Sequence, residues 1–120
     1  MSTKTSEQLA TAVMRKLGLI DRMKEPTAAE QRDIIDLYED KLEELGEDRV
    51  YWTTDAIPRA VFGAMVRIVA EEFCLSAGKD IPTEQDESGQ PVSIGNRGLM
   101  MLKRHIAREA SGVPTKATYF

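Results

Sequence analysis

The sequence predicts an all-α protein: a compact bundle of about four helices with a central apolar helix and an extended C-terminal arm. Three observations lead there. Two segments open with a Thr-x-x-Gln or Thr-x-x-Glu box and continue with apolar residues at helical spacing. A third, Ala60 to Leu75, is apolar on almost every side, as a helix packed by several others must be. Aromatic residues are only 6% of the chain, and the six methionines outnumber Phe, Tyr or Trp taken singly. That composition suits helix packing better than a β-sandwich.

The first helix follows Thr5-x-x-Gln8, where hydroxyl and amide each satisfy a backbone N–H that the helix leaves unpaired. Leu9, Val13 and Leu17 fall on one face, with Ala10 and Met14 beside them. Gly18 is the left-handed stop, and Arg15 and Lys16 sit where the helix dipole favours positive charge. The second helix starts at Pro26-Thr27-Ala28-Ala29-Glu30, another capping box. Ile34, Tyr38, Leu42 and Leu45 form its buried stripe, Ile35 widens it and Gly46 ends it. Nine acids lie between Glu30 and Asp48, opposed only by Arg32 and Lys41, so the outer face is strongly negative. It reads either as a solvated surface or as a face kept negative so that nucleic acid slides past it.

Val50-Tyr51-Trp52 lies in the next connection, where the only Trp is expected to plug one end of the bundle. The third helix is expected to start near Thr54 or Asp55, with Pro58 in its first turn. Val61, Phe62, Met65, Val66, Ile68, Val69, Phe73 and Cys74 make it central, and Gly63 with Ala60 and Ala64 lets a neighbour approach closely. Gly78 ends it. Lys79 to Ile94 is polar and reads as a surface loop, or as a short hairpin around Ser88-Gly89. The fourth helix runs from about Asn96 to Ser111, burying Leu99, Leu102, Ile106 and Ala110. Arg97, Arg104 and Arg108 fall at 0, +7 and +11 and form a second stripe on a different side.

At 120 residues the chain forms one domain, able to bury roughly 65% of its unfolded surface. Residues 1–112 are assigned to the helical bundle and 113–120 to a docking arm. A single cysteine forms no internal disulfide, and no apolar run reaches the ~18 residues of a membrane span. The first residues lack the apolar stretch of a signal peptide, so the protein is expected in the cytoplasm when made.

A catalytic constellation is hard to find. His105 lies among Lys103, Arg104 and Arg108 and reads as a plain surface or interface residue rather than a general base. Glu39, Asp40, Glu43 and Glu44 sit on a solvated helix, without the desolvation that splits carboxylate pKa values for acid–base work. One His and one Cys make no metal-ligand set, and Cys74 reads as core. Gly95-Asn96-Arg97-Gly98 resembles a phosphate-cradling turn only loosely, without the P-loop lysine or a preceding strand. The expectation is a protein that is not an enzyme, with no cofactor and no metal.

Charge is unevenly distributed. From Gly95 to Phe120 five Lys/Arg oppose one acid, +4, whereas residues 1–94 carry 11 basic and 19 acidic residues, −8. The whole chain is −4, and the connection before the basic helix is about 16 residues, too long for a helix-turn-helix reader of DNA. The basic stripe more readily meets an acidic face, which the second helix of an adjacent copy supplies. A contact of that kind closes into a ring when the rotation permits. Val113 and Pro114 then lead into a β-prone tail in which Thr115, Ala117 and Tyr119 alternate with Lys116, Thr118 and Phe120, two faces suited to adding a strand to a partner's sheet edge. Pro114 limits where such pairing begins.

The order of features resembles a known family. It runs from Leu9-Ala10-Thr11-Ala12-Val13-Met14-Arg15-Lys16-Leu17-Gly18-Leu19 to Pro26-Thr27-Ala28-Ala29-Glu30 and Lys41-Leu42-Glu43-Glu44-Leu45. Asp55-Ala56-Ile57-Pro58, an apolar helix, a loop, a basic helix and a Pro-containing tail follow. That succession, across almost the full chain, is similar to the head–tail connector proteins of tailed bacteriophages, in particular the adaptor or tail-accessory-factor group beneath the portal. The resemblance implies a structural protein of the virion, made in the host cytoplasm. It implies a ring, usually a dodecamer, that holds the phage portal protein through its C-terminal helix and tail. Here these are Arg97, Arg104, Arg108, Val113, Pro114, Lys116, Tyr119 and Phe120. A downstream tail or stopper protein would follow, and DNA would pass non-specifically, with Glu39, Asp40, Glu43 and Glu44 as channel-facing acids. The alternative from a different class is a small helical regulatory protein that uses its basic fourth helix on DNA or an acidic partner.

Overall fold

Four helices and four short strands follow one another along the chain. They are β1 (Thr3–Lys4), α1 (Ser6–Lys16), α2 (Ala28–Leu45), β2 (Ile57–Pro58), α3 (Arg59–Ala77), β3 (Thr83–Gln85), β4 (Pro91–Ser93) and α4 (Ile94–Gly112). The computed structural model describes residues 3–21 and 23–112, with side chains to Arg108. The arm assigned to 113–120 therefore lies outside the described residues. The fold is mostly helical rather than all-α, because β1 pairs antiparallel with β2, and β3 with β4.

Both capping boxes form. Thr5 N–H donates to Gln8 Oε1 at 2.8 Å and Gln8 N–H returns to Thr5 Oγ1 at 3.1 Å. Thr27 and Glu30 repeat this at 2.8 and 3.2 Å. At the end of α1, Gly18 takes φ 71°, which lets Leu19 N–H reach back to Met14 O and Gly18 N–H to Arg15 O. Only glycine enters that backbone region without strain, and the two bonds satisfy carbonyls the helix leaves open. α2 then doubles back along α1: Gln31 bonds Thr11, and Glu25 lies 3.6 Å from Arg15.

α3 starts four or five residues later than the sequence suggests. Pro58 has no N–H to give and disfavours helical geometry at Ile57, so both stay extended and pair with β1. Asp55 is used elsewhere. Its carboxylate accepts the backbone N–H and the hydroxyl of Ser6, each at 2.8 Å, pinning the start of α1, and those two bonds hold its pKa below the ordinary value. The rest of α3 is the expected centre. Val61, Met65, Val69 and Ala70 are fully buried, and α1, α2 and α4 all pack on it. Cys74 is buried, and desolvation pushes its thiol pKa up, as suits a core residue.

The segment predicted first as a loop is a hairpin. Thr83 faces Ser93, Glu84 faces Val92 and Gln85 faces Pro91. Its turn is organised by Asp86, whose carboxylate accepts the N–H and hydroxyl of Ser88 and the N–H of Gln90. Glu84 turns back onto the bundle, 2.7 Å from Arg67 of α3 and 3.1 Å from Lys16 of α1. No helix among the described residues is long and apolar enough to cross a membrane.

Two buried glycines set α4 against α3. A Cβ at Gly98 would lie 2.6 Å from the Ala64 carbonyl oxygen and 2.9 Å from Ile68, so the helix backbones meet there with nothing between them. A Cβ at Gly95 would meet the Glu71 side chain at 2.7 Å, and Glu71 Oε1 accepts the Gly95 N–H at 2.9 Å. The contacts run from Glu71–Gly95 to Gly63–Met101, so the helices are antiparallel. Gly95-Asn96-Arg97-Gly98 is thus the docked first turn of α4. The Gly95 N–H is taken by the Glu71 carboxylate, which leaves no cradle for phosphate there.

Candidate functional site

The glycine contact fixes which way α4 presents its side chains. Gly95, Gly98 and Leu102 face the core, so Arg97, Arg104 and Arg108 stand on the outer flank. At ~3.6 residues per turn they stay within about 20° of one line and span roughly 16.5 Å. The structure brings all three to one cleft of about 380 Å³, with Met100, Met101 and His105 also lining it. Glu87 enters the cleft from the hairpin turn and makes a two-pronged ion pair with Arg104. Asp86, next to it, is held below its ordinary pKa chiefly by the Ser88 hydroxyl and the Gln90 N–H, with a further pull from the charge of Arg97. The turn thus sets Glu87 on Arg104 and brings Asp86 within the electrostatic reach of Arg97.

At one end of the cleft His105 Nε2 lies 2.9 Å from the Tyr51 hydroxyl, and the two rings stack at 5.9 Å. Tyr51 in turn meets Trp52 edge-on at 5.2 Å. Trp52 packs on the core as expected, and its indole N–H donates to the Tyr38 hydroxyl at 3.1 Å. Tyr38 is fully buried and donates to the Thr54 carbonyl at 2.9 Å. Burial raises its pKa to about 12 despite the opposing indole hydrogen bond. An aromatic chain therefore braces α4 against α2 and its following connection. Among the described residues the hydrogen-bond partner of the His105 ring is the Tyr51 hydroxyl.

The four acids predicted on α2, Glu39, Asp40, Glu43 and Glu44, are all exposed. They are not equivalent. Arg32 pairs with Asp36 at 2.8 Å and reaches Glu39 at 3.6 Å, and Lys41 pairs with Glu44 at 3.0 Å while tying α2 to Glu72 of α3. Asp33, Asp40 and Glu43 make no ion pair among the described residues. α2 and α4 both pack on α3, so the acidic and basic faces belong to separate helices on one frame.

A larger groove, about 730 Å³, runs beside α1 between Lys4, Gln8, Arg15, Glu25 and Phe62. It is open and of mixed charge, with Arg15 already beside Glu25 and Lys4 over the Phe62 ring. Nothing in it converges on one point. No group of three or more His, Cys, Asp or Glu among the described residues is placed to hold a metal ion. The arginine stripe was legible in the sequence. Glu87 and Tyr51 were not, because their places follow from contacts across 17 and 54 residues. Val113, Pro114, Lys116, Tyr119 and Phe120 lie outside the described residues. No protein-family model, curated protein or solved structure matches the chain.

Proposed function

We propose that the chain is a structural head–tail connector subunit of a tailed bacteriophage. In this reading it forms a ring beneath the portal, joins head to tail and leaves a channel for DNA. The observation that carries the reading is charge segregation on a braced frame. α2 holds seven acids against two bases, and α4 holds four Lys/Arg against one acid. Two such faces on separate helices suit head-to-tail assembly of identical copies, which a solitary globule does not need. A basic α4 that runs directly into residues 113–120 supports the assignment of helix and tail to the portal. An acidic surface along a channel would repel phosphate and ease the passage of DNA.

The arginine cleft also favours a second reading, a small regulator that grips DNA or an acidic partner. The overall charge of −4 and the seat of Glu87 on Arg104 weigh against phosphate as its ligand. Capture on immobilised portal protein, alongside DNA binding across a salt series, separates the two. A connector is retained by portal, loses that retention when truncated after Gly112, and binds DNA negligibly at physiological salt. A regulator binds DNA with a steep salt slope and is indifferent to loss of Tyr119 and Phe120.

A further inference from the structure

Resting on the ring reading, we propose that the arginine ridge of α4 receives the acidic ridge of α2 from a second copy. Asp33, Asp40 and Glu44 align with Arg97, Arg104 and Arg108. The intervals are identical: each set falls at 0, +7 and +11 within a single helix. At 1.5 Å rise per residue both therefore place charges at 0, about 10.5 and about 16.5 Å along a line. Within α2 no other acidic triad has that interval, and none has the reversed interval 0, +4, +11. The two helices must then run in the same direction, which fixes the pairing as one register.

The availability of the partners agrees. The other edge of α2 is engaged in its own chain, where Arg32 holds Asp36 and Glu39. Asp33 and Asp40 are exposed and make no ion pair among the described residues, and Glu44 has only Lys41, on the same helix. On the receiving side Glu87 already displays the recognition chemistry, a carboxylate in the planar fork of Arg104. That internal carboxylate stands on an exposed turn and yields its place to Asp40 of the incoming copy. Met100, 43% exposed, and Met101 flank the ridge with adaptable apolar surface of the kind enriched at interfaces. Because donor and acceptor ridges sit on one chain, the contact is heterologous, and it propagates from copy to copy until it closes.

Sedimentation velocity of the full chain at low salt tests this with two charge-reversed proteins. One carries R97E, R104E and R108E, the other D33K, D40K and E44K. Like charges then face each other in either protein alone, and each dissociation constant should rise at least about tenfold over wild type. Mixed in equal amounts, the two are complementary at every contact and regain the wild-type association. Misfolding cannot mimic that rescue. Raising the salt shortens the Debye length from ~10 Å at 0.1 M to ~3 Å at 1 M and weakens wild-type association. If both reversed proteins associate as wild type does, this interface is wrong while the ring reading stands. A wild-type chain that stays monomeric at the highest soluble concentration overturns the inference, and portal capture still decides the connector reading independently. Failure of the mixture to associate when wild type does overturns the pairing, and DNA binding lost only with the arginine reversal gives the cleft to phosphate instead.

Discussion

Replacing Gly98 by alanine is expected to weaken the fold, although alanine is the better helix former. At an exposed helical site the exchange gains up to about 1 kcal/mol. At Gly98 the new methyl would lie 2.6 Å from the Ala64 carbonyl oxygen, 2.9 Å from Ile68 Cγ1 and 3.0 Å from Arg67 Cβ. The first obstacle is backbone and cannot rotate away, so α4 must lift from α3 by several tenths of an ångström. Overpacking of this kind costs typically ~1–3 kcal/mol, and losing contact along the helix pair adds to it. The net loss is about 1–2 kcal/mol, or roughly 4–8 °C in Tm for a domain of this size. Gly63→Ala supplies the opposite sign. Its methyl would meet only Arg67 Nη1 at 3.4 Å and Met101 Cε at 4.0 Å, ordinary contacts, so the propensity gain prevails and stability is unchanged or higher. Thermal and urea unfolding followed by circular dichroism measures both. A G98A protein as stable as wild type would refute the glycine-docked α3–α4 interface.

Other expectations rest on single contacts. Thr27→Ala removes one capping box and should cost about 1 kcal/mol, read by urea unfolding. Glu84 is desolvated, yet the hydrogen bonds and charges of Arg67 and Lys16 outweigh that and lower its pKa. Its contribution is therefore full above the ordinary glutamate value of 4.5 and is lost as pH falls through the lower folded value. Glu84→Gln should flatten that part of the acid limb and cost about 1 kcal/mol at neutral pH. Tyr38 has the reverse sign: with its pKa raised to about 12, its stabilising effect is present below pH 10 and disappears as pH climbs from 10 through 12. Tyr38→Phe should remove that alkaline step and change the fluorescence of Trp52, whose N–H loses its acceptor. Glu87→Gln frees Arg104 from its strongest internal competitor and should tighten self-association in sedimentation velocity.

Local signals were legible and distant ones were not. Thr5-x-x-Gln8 and Thr27-x-x-Glu30 announced two helix starts because each box is complete within four residues. Gly18 and Gly78 announced two stops for the same reason. The stripe of Arg97, Arg104 and Arg108 needed only helical periodicity, and the structure gathers it as one cleft. Pairing of Thr3–Lys4 with Ile57–Pro58 was invisible, since two-residue strands carry no alternation to read. Pro58 looked like a first-turn proline, but Asp55 was committed to Ser6 and the extended Ile57–Pro58 to β1, which moved the helix start. The close seating of Gly95 and Gly98 on Glu71 and Ala64 was invisible, because it joins residues 24 and 34 positions apart. The polar segment left loop and hairpin both open, since the order that decides for the hairpin comes from the Asp86 turn and from Glu84 reaching Arg67 and Lys16. The acids Glu39, Asp40, Glu43 and Glu44 read as one surface, and only Arg32 and Lys41 distinguish which are already engaged.

Electron cryomicroscopy of portal complexes that copurify with the full chain, compared with a chain ending at Gly112, tests the connector claim most directly. A connector gives a ring of this bundle beneath the portal, with α2 of one copy against α4 of the next, and that ring is lost when residues 113–120 are removed. Portals without such density, together with a monomeric chain that binds DNA in a salt-sensitive way, would contradict it.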